Sequence, residues 1–532
     1  MSVSTSYPGI YIQELPSSSH AIVPAPTSIA AFVGYSHPYQ TQSFGLAQQI
    51  FSFNDYQTYF GGLFSSGLID ASLARAVYQF FLNGGSTAWV VGLRPGLFGG
   101  SPASARFGTG TSDIQFTASV ATDSATVGML FTALEPTDTV PMAIQVANVN
   151  ASKGTFSLVI TYGAQNETYR GLSLTAASLG AINAASALVR ISPYAGSSTY
   201  GTTLPTVGLT TFSGTPSENL PTGYTTSYQA SDFDAIFQAN STLDKVEIFN
   251  LLLVPGNADN EVWSAALAFA ERKRAFAILD PPPQAPADGS STASPQPIQY
   301  WMSGVNGGAY ELPTSQNGAL YFPYLMSSDP VTATPIPMAP SGFVAGIYAA
   351  TDANRGVWKA PAGLATVLLN TLGPVTSGVM NDPQQGILNL EAINCLRSFS
   401  GIGTVVWGAR TLVAQNIAYQ QSMYVPVRRM TLFIEQTLLA NLRWVVFEPN
   451  DTPLWIAITS SINAFMLSLF RQGALQGSTP SDAFQVKCDS TTTTAADQAI
   501  GIVNIVVAFA PLKPAEFVIV QIAQLAGQTA GS

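Results

Sequence analysis

Charge is scarce in this 532-residue sequence: Lys and Arg number 20 and Asp and Glu 30, together 9% of positions, against about 25% in an average globular protein. With 47% apolar residues, such a chain either clothes itself in Ser, Thr, Asn, Gln and Gly or buries its surface against partners. The balance points to burial in an assembly. Positive charge is scarcer still. A net charge of −10, with basic clusters only at Glu271-Arg272-Lys273-Arg274 and Arg428-Arg429, argues against nucleic acid as a partner, because phosphate backbones are held by clustered cations.

Cysteine and histidine are nearly absent. Cys395 and Cys488 lie far apart and outside any CxxC pairing, so neither a disulfide framework nor a zinc site is expected. His20 and His37 both fall in Pro-containing stretches and read as solvated loop residues. A Ser-His-Asp triad needs an imidazole beside its nucleophile, and the sequence has no GxSxG elbow, HExxH, Walker lysine or EF-hand loop. No catalytic, metal-binding or cofactor-binding residue is therefore expected. Gly401-Ile-Gly403 lacks the third glycine of a dinucleotide fingerprint and reads as structural. Asp232 with Asp234, and Glu448 with Asp451, have the composition of a glycosidase pair but read as turn and cap residues.

Long apolar runs are missing too. The charge-free stretch from Ala360 to Met380 is broken by Pro361, Gly363, Gly373, Pro374 and Gly378, and no run of about 18 apolar residues is found, so no membrane span is expected. The opening Met1-Ser-Val-Ser-Thr-Ser-Tyr-Pro-Gly9 has neither the basic nor the apolar region of a signal peptide.

What is present divides into stretches of different texture. Ile10-Tyr11-Ile12 is strand-like, followed by a Ser/Pro linker from Leu15 to Pro26 and an apolar run from Ile29 to Val33. Ile69, Leu73, Ala76, Val77 and Phe80 recur at helical spacing before Asn83-Gly84-Gly85, and Ala88–Val91 reads as a buried strand. Strand, helix, strand is the unit of an α/β layer. From about residue 96 to 240, Ser, Thr, Gly and Ala with short alternating segments such as Thr155–Tyr162 read as a β-rich insertion. The α/β pattern resumes with strands at 246–254 and 276–279 around a helix at 261–273; strands joined this way are parallel. Pro- and Gly-rich loops follow to about Pro383. Further on, helices are expected at 386–399, 427–442 and after Pro453, with strands at 403–407, 444–447, 502–509 and 517–522. The last helix carries Trp455, Ile458, Ile462, Phe465, Met466 and Leu469 on one face, with Asp451 as N-cap and Gly473 past its end.

A dozen motifs, collinear from residue 7 to about 525 apart from the insertion, are similar to the sheath subunits of contractile phage tails and related bacterial injection systems. They include Tyr7-Pro-Gly-Ile-Tyr-Ile-Gln-Glu14, Thr27–Gly34, Phe80–Gly85, Ala277–Pro282, Arg355–Gly363, Trp407–Leu412, Phe447-Glu-Pro-Asn-Asp451 and Cys488-Asp489. The resemblance implies a mixed α/β, multidomain sheath fold: an N-terminal arm (1–20), the first part of a discontinuous α/β core (21–95), an inserted β-rich outer domain (96–240), a non-catalytic subtilisin-like α/β domain (241–385), a C-terminal core domain (386–510) and a C-terminal arm (511–532). It further implies a non-enzymatic homo-oligomer of hexameric rings in a helical sheath around an inner tube protein, with baseplate and terminator proteins, in a virion tail or a cytoplasmically assembled injection particle. On contraction the sheath drives the tube through a target envelope. Terminal strands are exchanged between subunits, here Ile10, Tyr11, Ile12, Phe517, Val518, Ile519, Val520 and Ile522, and the C-terminal domain touches the tube, with Arg471 and Lys487 as the expected contacts. Two other readings remain open at this point: an adhesin or carbohydrate-binding surface resting on the Ser/Thr-rich insertion, and a degenerate hydrolase resting on the α/β segment.

Overall fold

The computed structural model describes residues 20–66, 69–94, 117–124, 127–137, 139–193, 198–212, 230–281, 313–414 and 416–521. Two compact units are present, Pro26–Arg429 and a second composed of Met1–Ala25 with Met430–Ser532.

The larger unit is built on an eight-stranded sheet. Its strands are β1 (Ala30–Tyr35), β2 (Ala47–Ile50), β3 (Ala88–Leu93), then, beyond an insertion that holds β4 to β10, β11 (Leu251–Leu253), β12 (Phe276–Leu279), β13 (Gly318–Phe322), β17 (Ile393–Phe399) and β18 (Gly403–Val406). The order is β18-β17-β13-β12-β11-β1-β3-β2. The six inner strands are parallel, and β18 and β2 close the edges antiparallel. Every residue of β1, β11, β12 and β13 is buried, the signature of a parallel sheet covered on both faces. Alternate residues serve opposite faces. Phe32 meets Phe80 of α2 (Ser72–Leu82), and Phe276 and Tyr321 meet Tyr348 of a helix at Ser341–Arg355. On the other face Leu252, Ala277 and Leu279 share a cluster with Val262 and Trp263 of the helix at Asn260–Lys273.

Naming the remaining helices in chain order gives α1 (Phe53–Phe60), α3 (Ala176–Ala185), α4 (Ala230–Phe237), α5 (Asn260–Lys273), α6 (Ser341–Arg355), α7 (Asp382–Leu390), α8 (Val425–Asn441) and α9 (Thr452–Arg471). The stretch read as loops up to Pro383 in fact contains α6 and a three-stranded sheet of β14 (Leu325–Ser328), β15 (Pro335–Met338) and β16 (Gly373–Pro374). The glycines that disguised α6 are needed for packing: a Cβ on Gly342 would lie 2.4 Å from the Ala76 carbonyl of α2, and one on Gly346 would lie 2.8 Å from the Phe80 carbonyl. Close against this packing, Arg429 donates to Asp352 of α6 at 2.6 and 2.9 Å and to the Thr27 carbonyl at 2.9 Å, with both charged side chains almost fully buried.

Several expected boundaries shift for identifiable reasons. The strand read at 246–254 is only Leu251–Leu253, and ahead of it the Asp244 and Val246 carbonyls accept from Lys273 Nζ (2.7 and 2.8 Å). The helix read at 386–399 ends at Leu390, and Ile393–Phe399 is β17; Asp382-Pro383 and a capping box between Asn381 and Gln384 start it earlier. The boundary expected at 385/386 also fails to coincide with the division of the chain, since β17 and β18 belong to the large sheet. Gly401 and Gly403, at φ +76° and +109°, belong to the tight β17–β18 turn, as the structural reading expected.

The insertion is β-rich as expected. It carries one sheet ordered β10-β6-β7-β8 (Gly208–Thr211, Met142–Asn150, Thr155–Tyr162, Gln165–Leu172) and another ordered β4-β5-β9 (Thr117–Ser124, Val127–Ala133, Val189–Pro193). His37 joins it to the core. Far from being solvated, His37 is fully buried: its Nδ1 accepts from the Tyr39 and Gln40 amides (3.2 Å each), so Nε2–H donates to Glu135 at 2.9 Å, and Gln40 donates to the other Glu135 oxygen at 2.8 Å.

In the smaller unit α9 buries Leu454, Trp455, Ile458, Ile462, Phe465, Met466 and Leu469, the face read from the sequence, and Asp451 caps it by accepting from Leu454 N. By length and composition α9 is apolar enough to cross a membrane, contrary to the expectation that no such stretch exists; its interspersed Ser, Thr and Asn hid the run. The apolar face is packed as in a core helix. Val506–Phe509 (β20) pairs antiparallel with Phe484–Lys487 (β19) as a two-stranded sheet, shorter than the strand read at 502–509. Trp444–Phe447 is not a strand: Arg443–Val445 forms a 3-10 turn and Phe447 has φ +72°.

Candidate assembly surface

In open α/β sheets, ligands bind outside the carboxyl ends of the strands, where the strand order reverses. Here that point lies between β1 and β11, and the protein fills it with its own groups. The Asp280 carboxylate, at the end of β12, accepts from Ser341 N (2.7 Å), Ser341 Oγ (2.6 Å) and Gly256 N (2.9 Å). It thus occupies the start of α6, where an anion would otherwise bind. Ser72 closes the other side: a Cβ on Gly256 would lie 2.4 Å from Ser72 Oγ. Burial pushes the Asp280 carboxyl up to about 6, against these three hydrogen bonds that favour its charged form; Asp70 adds a further upward push. Ser341 therefore pairs with a carboxylate and with no imidazole among the described residues, and His37 is committed to Glu135. Asp451 is a helix cap as read, while Asp232 accepts from Tyr35 inside the core.

The distinctive surface lies in the smaller unit. Residues 20–25 are tied to α8. The Val23 N–H donates to Asn441 Oδ1 (2.9 Å), Asn441 Nδ2 donates to the Val23 carbonyl (2.8 Å), and the Ala25 N–H donates to Thr437 Oγ1 (3.0 Å). His20 stacks on Trp444 with ring centres 3.9 Å apart. At the other end, β20 continues through Ala510, whose N–H donates to the Ala483 carbonyl, into a bridge between Pro511 and Leu475. Pro511 and Pro514 have no N–H to extend a ladder, and the chain beyond leaves the sheet. Phe517, Val518, Ile519 and Val520 are 72–83% exposed and form no strand, so the strand expected there is absent from the isolated chain. Ile10, Tyr11, Ile12 and Ile522 lie outside the described residues. Arg471 is exposed in the last turn of α9, and Lys487 is half-buried at the end of β19.

Sequence reasoning missed the loop between α8 and α9. Phe447 is entirely exposed in a left-handed backbone conformation, Val446 beside it is exposed, and Asn450 fixes the loop. Asn450 Nδ2 donates to the Ile502 carbonyl (3.0 Å), its Oδ1 accepts from Trp455 Nε1 (2.9 Å), and its carbonyl accepts from Gln498. The motif Phe447–Asp451 was the available signal, but reading 444–447 as a strand placed the phenylalanine in a core.

Comparison with known proteins bears on what this surface is for. A tail sheath protein of Burkholderia phage BcepMu is 26% identical over 166 residues, 31% of this chain and 35% of that protein. A putative prophage major tail sheath protein of Pseudomonas aeruginosa is 26% identical over 268 residues, 50% of this chain and 62% of that protein. The chain thus matches between about a third and three fifths of these relatives' lengths. Among solved structures, the contracted sheath complex of the extracellular contractile injection system PVC is similar with a TM-score of 0.57 at 22% identity, covering 98% of this chain and 99% of that one. The contracted helical sheath of the anti-feeding prophage gives 0.54 at 21%, covering 98% and 100%. A sheath tail protein from Desulfitobacterium hafniense gives 0.51 at 12%, covering 95% and 100%. These likenesses show the fold, a sheath-protein fold of mixed α/β type. The relatives are sheath proteins, structural rather than enzymatic. The phage tail sheath protein central domain matches residues 234–412 and the phage tail sheath C-terminal domain matches residues 420–524, together more than half of the sequence, and the chain belongs to the phage tail sheath protein family.

Proposed function

We propose that this protein is the subunit of a contractile sheath that polymerises as stacked hexameric rings around an inner tube and shortens to drive the tube through a target envelope. The observation that carries this reading is the placement of both chain ends. The root of the N-terminal segment (20–25) and the root of the C-terminal segment (506–511) belong to the same small unit. That unit also holds β19 and β20, which have no third strand among the described residues. A two-stranded sheet is marginal alone, and an open edge is completed by any extended apolar segment of suitable register. Ile10, Tyr11, Ile12, Phe517, Val518, Ile519, Val520 and Ile522 are the segments offered.

Each donated strand contributes about four net hydrogen bonds at roughly 1 kcal/mol apiece. One such contact is weak. Two per subunit, repeated along a polymer, hold because a released strand is recaptured at high local concentration, so bodies can rotate while strands stay paired. The division into arms, α/β core, outer insertion and C-terminal domain follows from the same reading. The inner tube contacts the C-terminal domain at Lys487, the other expected contact, Arg471, being taken up by a contact between copies, and baseplate and terminator proteins cap the polymer. The particle is a virion tail or a cytoplasmically assembled injection device.

Deleting residues 1–14, or the chain from Phe517 onward, is expected to leave a folded subunit that does not polymerise. Normal sheaths from either truncation in electron micrographs would refute strand exchange.

A further inference from the structure

We propose that Phe447 of one copy seats in the groove between α9 and β19 of another copy, a head-to-tail contact distinct from strand exchange. It rests on the polymerisation reading above and adds a second, body-to-body interface to it. Phe447 is the largest apolar side chain left entirely exposed among the described residues, and it sits at φ +72°, a conformation that costs a non-glycine residue about 1 kcal/mol or more. Three hydrogen bonds through Asn450 hold the loop in that shape. A rigid, strained pedestal presenting an aromatic ring to water has the form of a binding anchor, which needs a pocket on a partner.

The same unit carries an open groove broad enough to receive it. A groove of about 440 Å³ is lined by Asn463, Ala464, Leu467, Pro480, Ser481 and Phe484, ample for one phenyl ring. Charge identifies the occupant. Glu448, next to the anchor, is exposed and forms no ion pair among the described residues, and Arg471, one helical turn beyond Leu467 on the same face of α9, is likewise exposed and without an ion pair. Anchor beside acid on one surface and pocket beside base on another are complementary between copies. Asp482 also borders the groove, but its carboxylate is engaged by Ser478 and Thr479. Because the two surfaces differ, the contact is heterologous and propagates as a ring or a helix rather than closing a two-fold dimer.

The test uses the full chain. Phe447→Ala is expected to melt at the wild-type temperature, since the ring touches no core, and to raise the concentration required for assembly by about tenfold or more. Glu448→Arg and Arg471→Glu should each raise it, and the double exchange should recover most of the loss. Phe447→Cys combined with Ala464→Cys should give a ladder of disulfide-linked oligomers on oxidation of assembled particles, the native Cys395 and Cys488 being buried. A wild-type assembly threshold for Phe447→Ala, or particles that yield no ladder, overturns the contact. So does linkage of Ala464→Cys to Ile12→Cys or Val518→Cys, which would give the groove to a terminal strand. Failure of strand exchange is separate: it shows as normal sheaths from the truncations, while a wild-type chain that never polymerises overturns both.

Discussion

Asn441 holds Val23 by both backbone groups, accepting the Val23 N–H at 2.9 Å and donating to the Val23 carbonyl at 2.8 Å across 418 residues of sequence. A single carboxamide here imitates a neighbouring strand. It fixes the course of residues 20–25 along α8.

Asn441→Ala should therefore release residues 20–25 without unfolding the unit. Hydrogen exchange of the Val23 amide is expected to accelerate about tenfold, equivalent to roughly 1.4 kcal/mol of local stability. Global denaturation should stay within about 0.5 kcal/mol of wild type, and unchanged exchange at Val23 would show that the clamp is idle.

The buried pair of Arg429 and Asp352 makes a sharper prediction. Arg429→Met strands the Asp352 carboxylate and should cost about 3–5 kcal/mol in chemical denaturation, whereas Arg429→Met with Asp352→Leu should recover most of it, because removing both charges removes their desolvation as well. The Thr27 carbonyl loses its donor in both variants, so recovery will be incomplete.

Asp280 gives a pH dependence with a definite sign. Its carboxyl is raised on folding to about 6, so the native state binds the proton more readily than the unfolded chain. Its contribution to stability is fully present below about pH 4 and is lost as the pH climbs through 6, a change on the order of 3 kcal/mol. In Asp280→Asn one acceptor oxygen faces three donors. Urea melts at pH 4.5 and 7.5 should show the variant less stable at the lower pH and the gap narrowing at the higher one. A gap that widens with pH would contradict the raised carboxyl.

Gly342→Ala should separate α2 from α6, since the new methyl would stand 2.4 Å from a backbone carbonyl. Overpacking of this kind costs about 1–3 kcal/mol, measurable as a lowered denaturation midpoint; an unchanged midpoint would mean that the helices slide apart freely.

Much of the large sheet was legible in sequence because β1, β3 and β12 are continuous apolar runs flanked by glycine or proline, and α5 and α9 have regular stripes with acidic caps. What escaped was set by contacts distant in sequence. Helix α6 is buried on most sides and studded with glycine, so it shows neither stripe nor propensity. Lys273 reaches back to the Asp244 and Val246 carbonyls ahead of the short β11, and His37 is buried with Glu135, 98 residues later, as its partner. Phe517–Val520 was recognisable as a run of four consecutive apolar residues. Phe447 was not, because its exposure depends on Asn450 bonding to a segment some fifty residues away.

The shared attachment of both chain ends to one small unit has a mechanical consequence. In the strand exchange proposed above, tension arriving through either end would enter and leave the subunit within the portion formed by residues 20–25 and 430–521, and the load path would bypass the sheet of the larger unit and its β-rich insertion. On that reading those parts carry no tensile duty, and fluorescent or affinity tags placed in the insertion should ride on a working sheath without weakening it.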